Sequence, residues 1–333
     1  MNQLRTVAET NELIAAGKTL HVAGDEAVLG RLRRGTWIGG TIPYFLTPEG
    51  GVVDRERVFV TEIPADVTAT EIRFVDAASL GDIPGTAFGH GFTIVIIPGM
   101  SEAHARYANE IQDVPGIFER PTIGWIAGVH LDELGRTTPK VFNGASGETS
   151  TDRIAVLHAK LPPDLTASIG IINLFAQGNG DRIRFPETGF SADACLINGE
   201  PGSFFDYVSE RQLDQRLPLV ADQSGEMINV SFQALDEAAR RVRFYAPVLT
   251  GVEYRQAAPV GDYRSGLSAF LANHRVAPVF SCNCVLNYLY AGLQGGQPIA
   301  IGGPATFGEI AYVLLNQTLV YLQIDRSAAE AAG

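Results

Sequence analysis

Hydrophobic and polar positions along this chain follow two rhythms: short apolar runs closed by glycine, and segments with apolar residues three and four apart. The first marks strands and the second helices. TLHVAG (19–24) is a buried-strand run ending at Gly24, DEAVLGRLRR (25–34) has helical spacing, and TWIGGTIPYF (36–45) is strand-like again. That order predicts a β-α-β unit. It recurs in GFTIVIIPGM (91–100), SEAHARYANEI (101–111) and PTIGWIAGVHL (121–131), with Ser101 placed to cap the helix.

Beyond residue 153 the rhythm changes to strands with short turns, over 153–162, 167–177 and 181–185, punctuated by Pro-Pro and Gly-Asn-Gly. A loop-rich passage (187–202) leads to a helix over 203–213. Period-two alternation then covers 226–235 and 241–258, where Pro247 and Gly251 suggest a bend. A helix over 262–274, a strand over 277–284 and two strands around a glycine-rich loop over 298–324 complete the reading, and the tail RSAAEAAG is expected to fray. The expectation is an α+β fold of two domains, residues 15–187 and 188–325, each a mixed or mostly antiparallel sheet flanked by helices.

Charge narrows the partners. Against 37 acidic residues stand 25 basic ones, a net charge of -12, which disfavours nucleic acid and anionic membrane surfaces and favours a small molecule or another protein. The longest apolar run near the C-terminus is interrupted by Asn316, Gln317 and Thr318 and falls short of the roughly 20 residues a membrane helix needs. The N-terminus has no signal-peptide core, and three cysteines make no disulfide framework, so the expected setting is reducing and cytoplasmic.

Cys282 and Cys284 lie two apart at a strand end and share a face if the strand continues. Zinc wants four ligands, and the remainder would have to come from distant positions such as Cys195, His158 or His274. If 285–293 is helical, Cys284 sits at its N-terminus, where the backbone dipole favours a thiolate. The alternative to that nucleophile is a pair of ordinary buried cysteines. The six histidines lack metal-site spacing, although any one has the chemistry of an axial haem ligand. No phosphate loop and no serine-hydrolase elbow is present. Thr41, Asn173, Asn283, Glu309 and Asn316–Thr318 are polar groups on apolar elements that need a partner, from the backbone or from a ligand.

In order along the chain, LHVAG, WIGGTIPYF, PTIGWIAGV and TPKVFNG resemble the N-terminal region, and CLINGEPGSFFDYV, the strand pair over 241–258, PVFSCNC and GEIAYVLLNQTLVYLQI the C-terminal region, of the FIST module (F-box and intracellular signal transduction proteins). The resemblance implies a cytoplasmic ligand sensor that works with a signalling partner; amino acids are proposed ligands in that family, and some members are similar to haem proteins that report nitric oxide. Where the family's cysteine is followed closely by an arginine, this chain has Asn283-Cys284-Val285, so no carboxylate-binding arginine carries over. The expected ligand pocket lies between the domains and draws on Gly39, Gly40, Thr41, Cys282, Asn283, Cys284 and Glu309. The alternative functions are an enzyme using a cysteine nucleophile or a bound haem, and a protein-interaction subunit without a small ligand.

Overall fold

A computed structural model describes residues 2–223, 225–295 and 298–326. Residues 327–333 of the tail expected to fray lie outside them. The fold is mixed α+β.

Both β-α-β units form. Leu20–Gly24 pairs in parallel with Trp37–Thr41 across the short helix Glu26–Leu29, which Asp25 caps by accepting the Ala27 N–H at 3.2 Å. Gly91–Pro98 pairs in parallel with Thr122–Ala127 across the helix Glu102–Glu110, and Ser101 Oγ accepts the His104 N–H at 3.1 Å. The first unit belongs to a six-stranded sheet in the order Asn2–Arg5, Val58–Glu62, Leu20–Gly24, Trp37–Thr41, Val141–Asn143, Glu148–Ser150. The second belongs to another, ordered Val313–Leu315, Glu309–Ala311, Thr122–Ala127, Gly91–Pro98, Ile154–Lys160, Ala69–Val75.

These two sheets stack at Gly40. A Cβ there would fall 2.6 Å from the Ile96 side chain and 2.8 Å from the Trp125 ring, so only glycine lets the layers approach this closely. A third sheet, Leu165–Ile172, Leu319–Arg326, Phe280–Cys284, Gly303–Thr306, Tyr44–Thr47 and Gly50–Val53, joins the same core through Phe280 and Leu322, which pack with Ile38, Ile96 and Trp125. Each such large apolar side chain contributes about 1.5–3 kcal/mol by leaving water.

Residues 178–256 form a separate lobe of two antiparallel sheets and the helix Phe204–Glu210. Phe185, Phe204, Phe232, Phe244 and Tyr254 give it its own core. The pairing of Arg241–Val248 is irregular with both neighbours: against Phe232–Asp236 at Arg243 and Phe244, and against Gly189–Ala192 between Arg243 and Val248, the span that holds the Pro247 expected to bend it. The chain enters and leaves the lobe side by side, Gln177 opposite Ala257, with the Ala258 N–H donating to Ala176 O at 2.9 Å. An amide network welds the lobe to the body: Asn229 Nδ2 donates to Asn173 Oδ1 (3.0 Å) and Asn316 O (3.1 Å), and Ser231 Oγ to Gln317 Oε1 (2.7 Å).

Residue 188, where the sequence suggests a domain break, falls inside this lobe. The chain beyond it returns to the body, where Leu319–Arg326 pairs with Leu165–Ile172, Glu309–Ala311 with Thr122–Ala127, and Gly303–Thr306 with Tyr44–Thr47. Residues 298–324, expected as two strands, hold four, because Tyr312 (φ 63) and Gln317 (φ 50) turn the backbone within a run that no glycine or proline breaks. No helix among the described residues is long and apolar enough to cross a membrane.

Candidate functional site

The seven residues expected to share one pocket separate into three environments. Gly39 and Gly40 are packing positions: a Cβ on Gly39 would meet Val22 at 2.7 Å, and Gly40 lies between the stacked sheets. Thr41 lines an open cleft. Cys282, Asn283, Cys284 and Glu309 come together in a closed polar cluster.

The cleft, of about 610 Å³, opens where three strands end. Asp25 to Gly30 follow Leu20–Gly24, Thr41 to Pro43 end or follow Trp37–Thr41, and Gly128 to His130 follow Thr122–Ala127. All three are carboxyl ends of strands with parallel partners, where open α/β sheets leave room for ligands because the connections diverge to opposite sides. The floor is fixed by main-chain bonds: Gly128 N–H donates to Thr41 O at 2.7 Å, and Lys140 N–H to Thr41 Oγ1 at 2.9 Å.

Around the cleft the charges are arranged in pairs. Arg55 Nε donates to Asp25 Oδ2 and its Nη1 to Glu133 Oε1, each at 2.7 Å, so one guanidinium ties two loops together. The Lys140 ammonium donates to Glu26. His130 stacks on Tyr44 with ring centroids 5.6 Å apart, and its Nδ1 accepts the Asp132 N–H at 3.3 Å. Tyr44 in turn accepts the Leu131 N–H at 2.9 Å, which holds the His130 loop against the third sheet.

The closed cluster is built on strand Phe280–Cys284, helix Val285–Tyr290 and the turns around Glu309. Glu309 is 0% exposed; its Oε2 accepts Thr318 N–H at 3.1 Å and Thr318 Oγ1 at 2.9 Å. It makes no ion pair among the described residues, and burial pushes its carboxyl up to about 8, so it is substantially protonated at neutral pH. Asn283 Oδ1 accepts from Cys284 N–H (2.8 Å) and Asn287 Nδ2 (2.9 Å), while Asn283 Nδ2 donates to Tyr263 Oη at 3.2 Å. Cys282 Sγ donates to Gly124 O at 3.4 Å.

Cys284 does stand at the N-terminus of the helix Val285–Tyr290, without a side-chain capping bond, yet the thiolate expected there is not favoured. Burial first, and then the Glu309 carboxyl, push both thiols well above the ordinary range. Cys195 lies in the lobe's core, and the other two cysteines in the core of the body. Among the described residues no group of three or more His, Cys, Asp or Glu side chains could hold a metal ion. The buried histidine rings have neighbours within the protein: Trp125 Nε1 donates to His21 Nε2 at 2.7 Å, and His158 lies between Thr93 and Thr86 hydroxyls at 2.9 and 3.0 Å.

Cleft and cluster are joined by one short segment. The Phe307 ring covers Gly128, where a Cβ would fall 2.3 Å from it, and Phe307 N–H donates to Ile126 O at 3.1 Å. The preceding residue, Thr306, places its hydroxyl 3.4 Å from Glu309 Oε1. Sequence reasoning missed Asp25, Arg55, His130 and Glu133. The two β-α-β patterns pointed to the carboxyl ends where Asp25 and His130 stand, but Arg55 comes from a loop and Glu133 from a single 3-10 turn, Leu131–Glu133, neither with a periodic signal.

No curated protein and no solved structure matches the chain. A family model described as a family of unknown function, DUF6976, matches residues 5–325, nearly the whole chain, which therefore belongs to that family.

Proposed function

We propose that this chain is a cytoplasmic small-molecule-binding protein, a sensor of the FIST type that reports to a signalling partner, with its ligand in the cleft at the strand ends. The observation that carries this reading is the convergence of three strand carboxyl ends on one polar-walled space of about 610 Å³, a volume within the ordinary range for small-ligand sites. Thr41 is the expected site residue that belongs to it. Phe307, packed on Gly128 and adjacent to Thr306, gives occupancy of the cleft a path to the Glu309 cluster and to the third sheet.

The competing reading, an enzyme with a cysteine nucleophile, needs a thiolate, and burial drives both thiols the other way. A metabolite screen by thermal shift, run on the wild type and on Ala27→Trp, tests the proposal. Ala27 is exposed and lines the cleft, so tryptophan fills the space without disturbing the core. Stabilising compounds should lose their effect in the variant; compounds that stabilise both proteins equally bind elsewhere and would refute the assignment.

A further inference from the structure

The charges left over in the cleft select a ligand class. Its lining carboxylates already have partners: Asp25 and Glu133 share Arg55, and Glu26 holds Lys140. Arg31 also lines the cleft, is exposed, and makes no ion pair among the described residues. An ammonium group entering here would have to displace an existing pair, whereas an anion would meet an uncommitted guanidinium with donors suited to two oxygens.

The neutral groups point the same way. Because His130 Nδ1 accepts a main-chain N–H, the neutral ring carries its proton on Nε2 and offers a donor. Thr137 and Thr138 add hydroxyls that both donate and accept. The lining also includes Phe142, Ile42 and Pro43, which suit a carbon chain but no second charge.

Resting on the cleft as the ligand site, we propose that it takes a small hydroxylated anion, a sugar acid or a sugar phosphate, with the anionic head on Arg31 and the hydroxyls toward His130, Thr137 and Thr138. This sets it apart from a zwitterionic amino acid, whose ammonium would find every carboxylate that lines the cleft, Asp25, Glu26 and Glu133, already paired. Carboxylate and phosphate share the chemistry Arg31 recognises, and direct titration separates them.

Isothermal titration calorimetry at low salt would compare D-gluconate, D-glucose 6-phosphate, D-glucose and L-alanine on the wild type, Arg31→Gln and Ala27→Trp. At least one anion should bind ten-fold or more tightly than glucose and alanine, and the better of the two names the head group. Arg31→Gln should weaken that anion about ten-fold, the loss of one charge-assisted contact, and Ala27→Trp should abolish it. Absence of binding by both anions, tighter binding of alanine or glucose, or an affinity unchanged by Arg31→Gln would overturn the proposal. If a compound of another class binds the wild type and is lost in Ala27→Trp, the cleft stands and only the anion falls; binding indifferent to Ala27→Trp removes both.

Discussion

The cleft and the Glu309 cluster are a short segment apart and solve opposite electrostatic problems. In the cleft every acid meets a cation in reach of water, so the charges persist and cost little. Around Glu309 there is no ion pair among the described residues, and the carboxyl is accommodated by raising its affinity for a proton and by donors from Thr318 and Thr306. The contrast teaches that a concentration of polar residues at strand ends does not by itself mark a binding site. What separates the two is access: the cluster's side chains spend their hydrogen bonds on buried protein groups such as Gly124 O, Thr318 and Tyr263, while the lining of the cleft includes exposed side chains.

The largest effect should come from the layer beneath the cleft. Gly40→Val would push a side chain into Ile96 and Trp125 and cost about 3 kcal/mol by urea denaturation, whereas Ala27→Trp, on the exposed wall, should shift stability by less than about 0.5 kcal/mol. Equal losses would mean that cleft and core are not distinct regions.

The next largest is a pH effect. Glu309 has a folded value of about 8 against an ordinary 4.5, so the folded state holds a proton that the unfolded state has released. Its stabilising contribution is full below 4.5 and is lost as pH rises through 8. The buried histidines His21 (about 3) and His158 (about 4) act oppositely, as stability falls when pH drops below their ordinary 6.5. Between pH 6.5 and 8 Glu309 therefore acts without them, and wild type should lose on the order of 1.5 kcal/mol relative to Glu309→Gln over that interval. Parallel stability curves for the two proteins would place a cation beside the carboxyl.

Smaller still, Arg55→Gln should cost less than about 1 kcal/mol, and the cost should shrink in high salt, since its pairs are solvent-accessible. A salt-independent loss would mean that the bridge is sealed from solvent. The least perturbing check is chemical. Cys195, Cys282 and Cys284 are all buried with raised thiol values, so none should react with a thiol reagent at pH 8 until denaturant is added. Rapid modification of one in the native protein would revive the nucleophile reading.

Much of this architecture was legible in the sequence, and the reasons for the exceptions are physical. The two β-α-β units announced themselves because parallel strands buried on both faces read as unbroken apolar runs. Cys282, Asn283, Cys284 and Glu309 do come together, but sequence could not say that their partners are protein groups, Gly124, Thr318, Tyr263 and Asn287 among them. Strands Val58–Glu62 and Ala69–Val75 lie in a stretch to which the pattern assigned nothing, and the four strands over 298–324 merged into two because left-handed turns at Tyr312 and Gln317 carry no glycine to mark them. Arg31 and Arg55, on which the chemistry of the cleft turns, look like any surface arginines until the fold sets them facing the same space.

The lobe has a further consequence. Because Gln177 and Ala257 already face each other where the chain crosses into it, removing everything between them would leave two ends close enough to rejoin through a tight turn. The body would keep its three six-stranded sheets and its cleft, and would lose the bonds that Asn229 and Ser231 make to the Asn316–Gln317 turn and the packing of Ala246 against Ile310 and Leu314. The lobe is thus a cassette spliced into the body at a single bridge, and the natural seam for a minimal version of this protein is the Gln177–Ala257 pair, neither of which lines the cleft.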